Sequence, residues 1–352
     1  MNHLDILKRA WQIFLSCKPL WVFGFFLALT TGSFGWAMML SGGEDQTFSF
    51  TLPDGTLVNI PGENQLYWED GIPDEVVQWF ITAGIILLCV VAFMIVLGWI
   101  VRYISETALV RMVNSYEQTG ESCRVGQGFR LGVSRYAVRF FLIDLLITGT
   151  AVLFFILLFA LSIAPFFLWM TESTVLGIIG TVAGIGLFFM FVFLAIVSGA
   201  VLNLLRDFIK RACAIEDLGV FAAISRGFSL VRARIGDVGL MWLLMFGIRL
   251  GWPIVMVPVA LLLISIGLLI AGAIGLLVSG LAGLAFAGKV PAILAGLFGL
   301  AVFVLFVGLP LNFLTGLRDT FVSSTWTLTY RDALALESIE NPWVSELDHQ
   351  EI

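Results

Sequence analysis

Long apolar runs, separated by short polar segments, dominate the pattern of this chain. Runs of eighteen residues or more are long enough for an α-helix to cross a hydrocarbon core about 30 Å thick. The pattern therefore predicts an all-α integral membrane protein with six transmembrane helices. The predicted spans are 20–40, 79–101, 140–170, 175–205, one that begins near 238, and 292–317. They belong to a single polytopic domain over 1–335, which a polar C-terminal tail at 336–352 follows.

The fifth apolar stretch is long enough to leave its number of spans open. From Val238 to Gly288 the only charged residue is Arg249. Two spans here would place the C-terminal arginines on the side opposite to the other basic segments. We therefore predict one long helix that bends near Pro253 and Pro258, because proline removes a backbone hydrogen bond. A glycine-rich outer segment would follow it.

Composition and charge distribution predict the location and the orientation. Hydrophobic residues make up 59% of the chain and charged residues only 12%, about half the share in a soluble domain. With six spans, seventeen of the nineteen Lys and Arg residues lie on one side, which the positive-inside rule assigns to the cytoplasm. The first apolar run is too long for the core of a signal peptide. We predict a multi-pass protein of the plasma (cytoplasmic) membrane, the inner membrane of a bacterium, with both termini cytoplasmic.

The first outer loop, 41–78, is acidic and contains a strand pattern. Eight acidic residues and no basic ones lie between Glu44 and Glu75. Alternation in TFSFT, turn chemistry in LPDG and extended character in TLVNI predict a small β-hairpin from Thr47 to Ile60. A two-stranded hairpin is only marginally stable alone, so we expect this loop to rest on the membrane domain or on a protein partner.

Three short amphipathic segments precede the odd-numbered spans and share one pattern. They read LKRAWQI at 7–13, VGQGFRL at 125–131 and ISRGFSL at 224–230. Each is predicted to form a helix in the cytoplasmic interface. A short helix, a span, an outer connection and a second span would then form a unit that repeats three times. The alternative is that any basic interfacial helix shows such a pattern.

Residues of these segments are candidates for contact with membrane lipids. An aromatic ring occupies the same position in all three, and basic residues follow it. Apolar rings prefer the depth of the interface, and each nearby cation contributes about 1 kcal/mol of attraction to anionic headgroups. The predicted lipid-facing residues are Trp11, Phe129, Phe228, Arg226, Arg232 and Arg234.

The six-span layout, together with AAISRGFSL at 222–230, resembles the membrane domain attached to some bacterial glycerophosphodiester phosphodiesterases. It also resembles related uncharacterised bacterial membrane-protein families. The resemblance implies a six-span helical fold over most of the chain. The catalytic domain of such fusions has no counterpart here, so the resemblance implies no active-site residue.

Two charged residues inside the predicted spans are candidates for function. Asp144 lies about five residues into the third span and Arg249 about eleven residues into the fifth. Charges in a membrane are costly and usually functional. The alternatives are that Asp144 pairs with a nearby arginine such as Arg139, or that Asp144 and Arg249 pair with each other across the bundle.

Polar and small residues of the spans suggest helix contacts. Asn203 and Asn312 lie in the cytoplasmic halves of even-numbered spans, where we expect hydrogen bonds between helices. Two glycine pairs have the GxxxG spacing that permits close approach of helices. These pairs are Gly180/Gly184 and Gly247/Gly251.

The remaining chemistry of the sequence is sparse. The only histidines are His3 and His349, near the two ends, and the four cysteines include no CxxC pair. We therefore predict no disulfide framework, no metal site, no cofactor and no catalytic residue. The chain has no basic stripe interleaved with exposed aromatic residues, so no nucleic-acid partner is predicted.

These observations favour a non-enzymatic membrane protein. Its role would be that of a scaffold or helper for membrane-lipid or envelope processes, with anionic headgroups as its partners. The alternative is a small-molecule transporter or permease, which the internal repeat, the prolines of the fifth span and the two intramembrane charges suggest.

Overall fold

The computed structural model describes residues 2–41, 49–51, 57–59, 74–120, 123–171, 173–285 and 290–340. Helices account for nearly all of these residues. They are α1 (His3–Ser16), α2 (Pro19–Ser41), α3 (Asp74–Thr119), α4 (Val125–Gly132), α5 (Arg135–Ile163), α6 (Thr174–Ile215), α7 (Val220–Ala233), α8 (Ile235–Ala285), α9 (Val290–Phe303) and α10 (Leu309–Glu340). A 3-10 helix, Ala164–Thr171, extends α5, and a π-helical turn, Val304–Gly308, joins α9 to α10.

The prediction of an α-helical membrane protein is confirmed. By length and apolar composition, five helical segments of the described residues can cross a membrane. A sixth is added if α1 and α2, which meet at 98°, are counted together. The helix α8 runs unbroken through Pro253 and Pro258. Its 51 residues measure about 77 Å, which is far more than a hydrocarbon core of about 30 Å requires.

Two short strands lie in the segment between α2 and α3. Strand β1 (Ser49–Thr51) pairs antiparallel with β2 (Leu57–Asn59), and Phe50 lies opposite Val58. The rest of the predicted hairpin, and most of the acidic loop at 41–78, lie outside the described residues. The hairpin from Thr47 to Ile60 therefore stays a prediction.

The buried core lies at the basic end of the long helices. It is formed mainly by Ala108–Val113 of α3, Phe208–Ala214 of α6 and Thr320–Tyr330 of α10. Toward the opposite end the apolar side chains are exposed: in the most apolar part of each candidate span, 0% to 11% of the residues are buried. Exposed apolar surfaces of this kind are suited to a lipid bilayer, because acyl chains contact apolar side chains favourably and water does not.

The short helices pack in a cyclic order. Helix α4 packs against α3, α7 against α6, and α1 against α10, while α3, α6 and α10 contact one another. Each short helix thus contacts the long helix that precedes it, and α1 contacts the last one. This order is the arrangement expected for the predicted threefold repeat.

The small residue before each aromatic ring explains the shared sequence pattern. A Cβ atom at Gly128 would lie 2.4 Å from Sδ of Met112, and one at Gly227 would lie 2.7 Å from Ile209. Ala10, at the equivalent position of α1, is fully buried. Larger side chains here would push the short helix away from its long partner.

Close glycine contacts differ from the predicted ones at one pair. A Cβ at Gly180 would lie 2.3 Å from the carbonyl oxygen of Pro165, so α6 approaches the 3-10 helix closely. The pair Gly247/Gly251 has no atom within 4 Å of either Cβ position, and its predicted role in helix contact is wrong.

A disulfide joins Cys17, between α1 and α2, to Cys123, just before α4. The prediction that the cysteines form no disulfide is wrong. The two residues are separated by 106 positions in sequence, and the packing of α2 against α3 and α4 brings them together. The other two cysteines, Cys89 and Cys213, are free.

Candidate functional site

A buried ion network surrounds Asp144, whose exposed fraction is only 6%. Nζ of Lys210 donates to both carboxylate oxygens of Glu106 at 2.8 Å and to Oδ2 of Asp144 at 2.9 Å. Nε of Arg206 lies 3.3 Å from Oδ1 of Asp144. Two acids and two bases from α3, α5 and α6 thus neutralise one another. Pairing of this kind compensates for the cost of removing charges from water.

The network corrects the predicted partners of Asp144. Its ion pairs are with Lys210 and Arg206, so the predicted pair with Arg249 is wrong. Arg139, the other suggested partner, instead donates to Asp217 at 2.9 Å. In the sequence, Lys210 is one of several cations in the basic segment 206–237. Its position four residues after Arg206, on the same helix face, was the signal that could have identified it.

A cavity of about 380 Å³ lies between α6, α8 and α10. Two of the predicted polar residues, Asn203 and Arg249, line it together with Asp207 and the rings of Trp242 and Trp326. Within the described part of the chain, neither Asn203 nor Arg249 has a hydrogen bond or an ion pair, and both side chains are exposed. The structure therefore brings together two polar groups that are 46 residues apart and leaves both available to a ligand.

A second cavity, of about 390 Å³, lies between α3 and α5. Its walls are apolar and aromatic, and they include Trp99, Tyr103, Val138 and Phe141. This cavity contains no counterpart of Arg249. The apolar lining of this cavity is suited to the acyl chains of lipids.

Asn312 does not make the predicted contact between helices. Its Nδ2 donates to the carbonyl oxygen of Gly308 in the same helix, at 2.9 Å. Gly308 ends a π-helical turn, where the regular hydrogen-bond ladder is interrupted. The amide of Asn312 satisfies a carbonyl at this interruption, so Asn312 stabilises the junction between the π-helical turn and α10.

Each short helix exposes an aromatic ring. The exposed fractions of Trp11, Phe129 and Phe228 are 53%, 45% and 54%. A cation lies next to each ring in sequence or one helical turn away. These cations are Lys8, Arg130 and Arg232, and each is exposed, with no ion pair among the described residues. Lys8 and Arg130 were not among the predicted lipid-facing residues.

Arg226 does not belong with these cations. It forms ion pairs of 3.0 Å with Glu216 and 2.7 Å with Glu337. The hydrogen bonds from Arg226 to Glu337, with further support from Glu216, raise the pKa of the guanidinium. Arg226 thus joins α7 to α10, and its predicted role as a lipid-facing residue is wrong. Arg234, partly buried after α7, also has an interaction partner within the protein.

No group of three or more His, Cys, Asp or Glu side chains that could hold a metal ion occurs in the described part of the chain. The predicted absence of metals, cofactors and catalytic residues stays a prediction.

The long apolar helices and the polar groups gathered at one end define an α-helical membrane protein. The chain belongs to a family of unknown function, DUF7544, whose sequence model matches residues 20–318. Neither a curated protein nor a solved structure matches the chain.

Proposed function

We propose that this chain is a non-enzymatic, multi-span scaffold or helper for membrane-lipid or envelope processes. It would bind anionic headgroups through its basic end. The observation that supports this most directly is the set of three exposed pairs of ring and cation, one on each short helix. We name these pairs the collar: Lys8 with Trp11, Arg130 with Phe129, and Arg232 with Phe228.

Physical chemistry supports the collar as a lipid surface. Aromatic rings prefer the membrane interface, and unpaired cations there attract anionic lipid by about 1 kcal/mol each. The cyclic packing of α1, α4 and α7 distributes the three pairs around the bundle. A collar of this kind needs no transport pathway.

The ion network around Asp144 also favours a scaffold over a transporter. Its four charges compensate one another within the protein, and Asp144 does not line either of the two cavities described above. Of the features described above, only the cavity at Arg249 supports a permease role. It therefore remains the second candidate.

The orientation is part of this proposal. Basic residues favour placement of both termini in the cytoplasm, on the inner side of the plasma membrane. The disulfide between Cys17 and Cys123 argues for the opposite side, since cytosolic thiols are usually kept reduced. A reporter that is active only in the cytoplasm, fused after Glu351, decides between them. The resemblance to phosphodiesterase-linked membrane domains, and a protein partner for the acidic outer loop, stay predictions.

The collar is tested by removing its cations. We expect Lys8→Gln, Arg130→Gln and Arg232→Gln together to weaken retention of anionic phosphatidylglycerol about tenfold or more at low salt. The effect should shrink at high salt, because headgroup attraction is screened. Native mass spectrometry with phosphatidylglycerol and with phosphatidylcholine across a salt series gives the measurement.

The matched control makes the same change in net charge at arginines that already have acidic partners. It combines Arg9→Gln, Arg135→Gln and Arg318→Gln, whose partners are Glu117, Asp217 and Asp319. Equal loss of lipid in both triple variants would show that only net charge matters, and the collar would be rejected.

A further inference from the structure

The uncharged stretch that follows Arg249 places this residue near one edge of the membrane. Residues 250–285, all within α8, contain no charged side chain, and 36 helical residues measure about 54 Å. This length is sufficient to cross the hydrocarbon core with a tilt. Arg249 therefore lies at the basic end of the apolar stretch and not near its middle, as its position in the predicted span had suggested.

Asn203 occupies the corresponding position on α6. Residues 174–202 contain no charged side chain, and the first charges after them are Arg206 and Asp207. The cavity between α6, α8 and α10 thus lies where the apolar helix halves meet the buried bundle. This boundary is the depth of lipid headgroups.

One cation that lines this cavity, Arg249, forms no ion pair within the described part of the chain. Asp207 is paired with Arg211 at 3.2 Å, and Asp319 with Arg318 at 2.7 Å. Arg249 interacts electrostatically with Asp319 but forms no ion pair with it among the described residues. An unpaired guanidinium beside apolar surface is costly. Its position favours an anionic ligand.

The shape of the cavity favours a phosphate group that carries apolar chains. Ala195, Gly199 and Ala200 keep the α6 wall open, while Ile196 and Phe246 continue the lining with apolar surface. A guanidinium can bind two phosphate oxygens at once, and the amide of Asn203 can donate a further hydrogen bond. We propose that this cavity binds a phosphate-bearing ligand through Arg249 and Asn203, with Trp242 and Trp326 at its sides.

The phosphate can come from a phospholipid headgroup or from the free ion. The apolar lining favours the phospholipid, and the experiment below separates the two sources. None of the collar residues lines this cavity. The two proposals therefore rest on different residues and can fail independently.

The test measures binding of short-chain phosphatidylglycerol to the full chain in detergent by native mass spectrometry. We expect Arg249→Gln to weaken binding about tenfold and Arg249→Lys, which keeps the charge, to weaken it less. Asn203→Leu should cause a smaller loss than Arg249→Gln. The control Lys18→Gln removes one exposed cation that lies outside both the cavity and the collar, and it should change binding by less than about twofold.

Two competition arms identify the source of the phosphate. Millimolar inorganic phosphate that displaces the lipid from the unmodified chain, but not from Arg249→Gln, supports a site for the free ion. Failure of phosphate to compete, with retention of phosphatidylglycerol over diacylglycerol, supports a lipid headgroup.

Two results would overturn the proposal: equal retention of diacylglycerol and phosphatidylglycerol, or equal losses in Arg249→Gln and Lys18→Gln. If Arg249→Gln does not fold, as judged by gel filtration, the comparison rests on Arg249→Lys and Asn203→Leu. Unchanged lipid binding in both would then reject the site.

Discussion

Two grooves, one between α3 and α5 and one between α6 and α8, occupy equivalent places in the cyclic arrangement. They differ in whether their charged residues are paired within the protein or face the cavity. Their cavities are nearly equal, at about 390 and 380 Å³. Beside the first, Lys210 is buried between Glu106 and Asp144, and the cavity itself is apolar. In the second, Arg249 faces the cavity with no ion pair among the described residues.

The third equivalent groove, between α10 and α2, is closed. A Cβ at Gly24 would lie 2.4 Å from the carbonyl oxygen of Gly316, so the two backbones touch. The three grooves thus differ: one is closed, one is apolar and one is polar. Side-chain size and the placement of a few charges decide between a contact that holds the fold together and a site that can take a ligand.

The largest expected effect is on stability, at the buried lysine. Lys210→Met keeps a similar side-chain length but leaves Glu106 and Asp144 without their shared partner. Removing one partner of a buried ion pair costs about 3–5 kcal/mol. Thermal and denaturant unfolding of the purified chain in detergent should show this loss of free energy.

Arg249→Met is the matched control for that measurement. Because Arg249 has no ion pair among the described residues, we expect its removal to change stability by less than about 1 kcal/mol when no lipid is added. Similar losses for both substitutions would mean that Arg249 is as structural as Lys210, and the contrast between the two grooves would fail.

An intermediate effect is expected at the closed groove. A Cβ at Gly316 would lie 2.6 Å from the backbone nitrogen of Phe25, and such overpacking costs about 1–3 kcal/mol. Gly316→Ala should therefore lower the unfolding free energy. Gly251→Ala, where no atom lies within 4 Å, should be neutral or should stabilise α8 by up to about 1 kcal/mol. Tolerance of Gly316→Ala would show that this groove can open like the other two.

The smallest effect concerns an exposed carboxylate and depends on pH. A hydrogen bond from Tyr136, with support from Arg139 and Arg135, lowers the pKa of Asp217. A carboxyl of this kind stabilises the fold above its unfolded-state pKa of about 4, and the stabilisation is lost as pH falls through the lower folded-state value. Asp217→Asn should therefore lower the melting temperature slightly near neutral pH, but not in acid.

Asparagine suits this experiment because it tolerates the left-handed backbone of Asp217, whose φ is 55°. Asp5→Asn, near the N-terminus, is the control for a general loss of negative charge. A difference in melting temperature that persists unchanged in acid would show that Asp217 acts through packing and not through its charge.

Much of the fold could be predicted from local patterns. The apolar runs predicted the long helices, and the patterns around Trp11, Phe129 and Phe228 predicted the short helices α1, α4 and α7. The pattern also contained the small residues that pack, Gly128 and Gly227, although their contacts could not be assigned. In these cases a few neighbouring residues carry the whole signal, because helix formation and amphipathicity are local properties.

The candidate site was predictable only in part. Asn203 and Arg249 stood out as polar residues in apolar surroundings, but their shared cavity did not follow from the sequence. Asp144 was identified, whereas its partner Lys210 was not. The sequence around Cys17 and Cys123 likewise does not indicate that these cysteines form a disulfide.

The sequence by itself determined that the chain forms long apolar helices with basic segments at one end, because hydrophobicity and charge are properties of the individual residues. Only the tertiary structure decided which charges meet. Ion pairs, cavities and close glycine contacts depend on the rotation and register of helices that are distant in sequence. A rotation of α8 by a fraction of a turn would direct Arg249 to other neighbours without changing any local pattern. The difference between a buried pair at Lys210 and an open cation at Arg249 is therefore a property of the packed bundle.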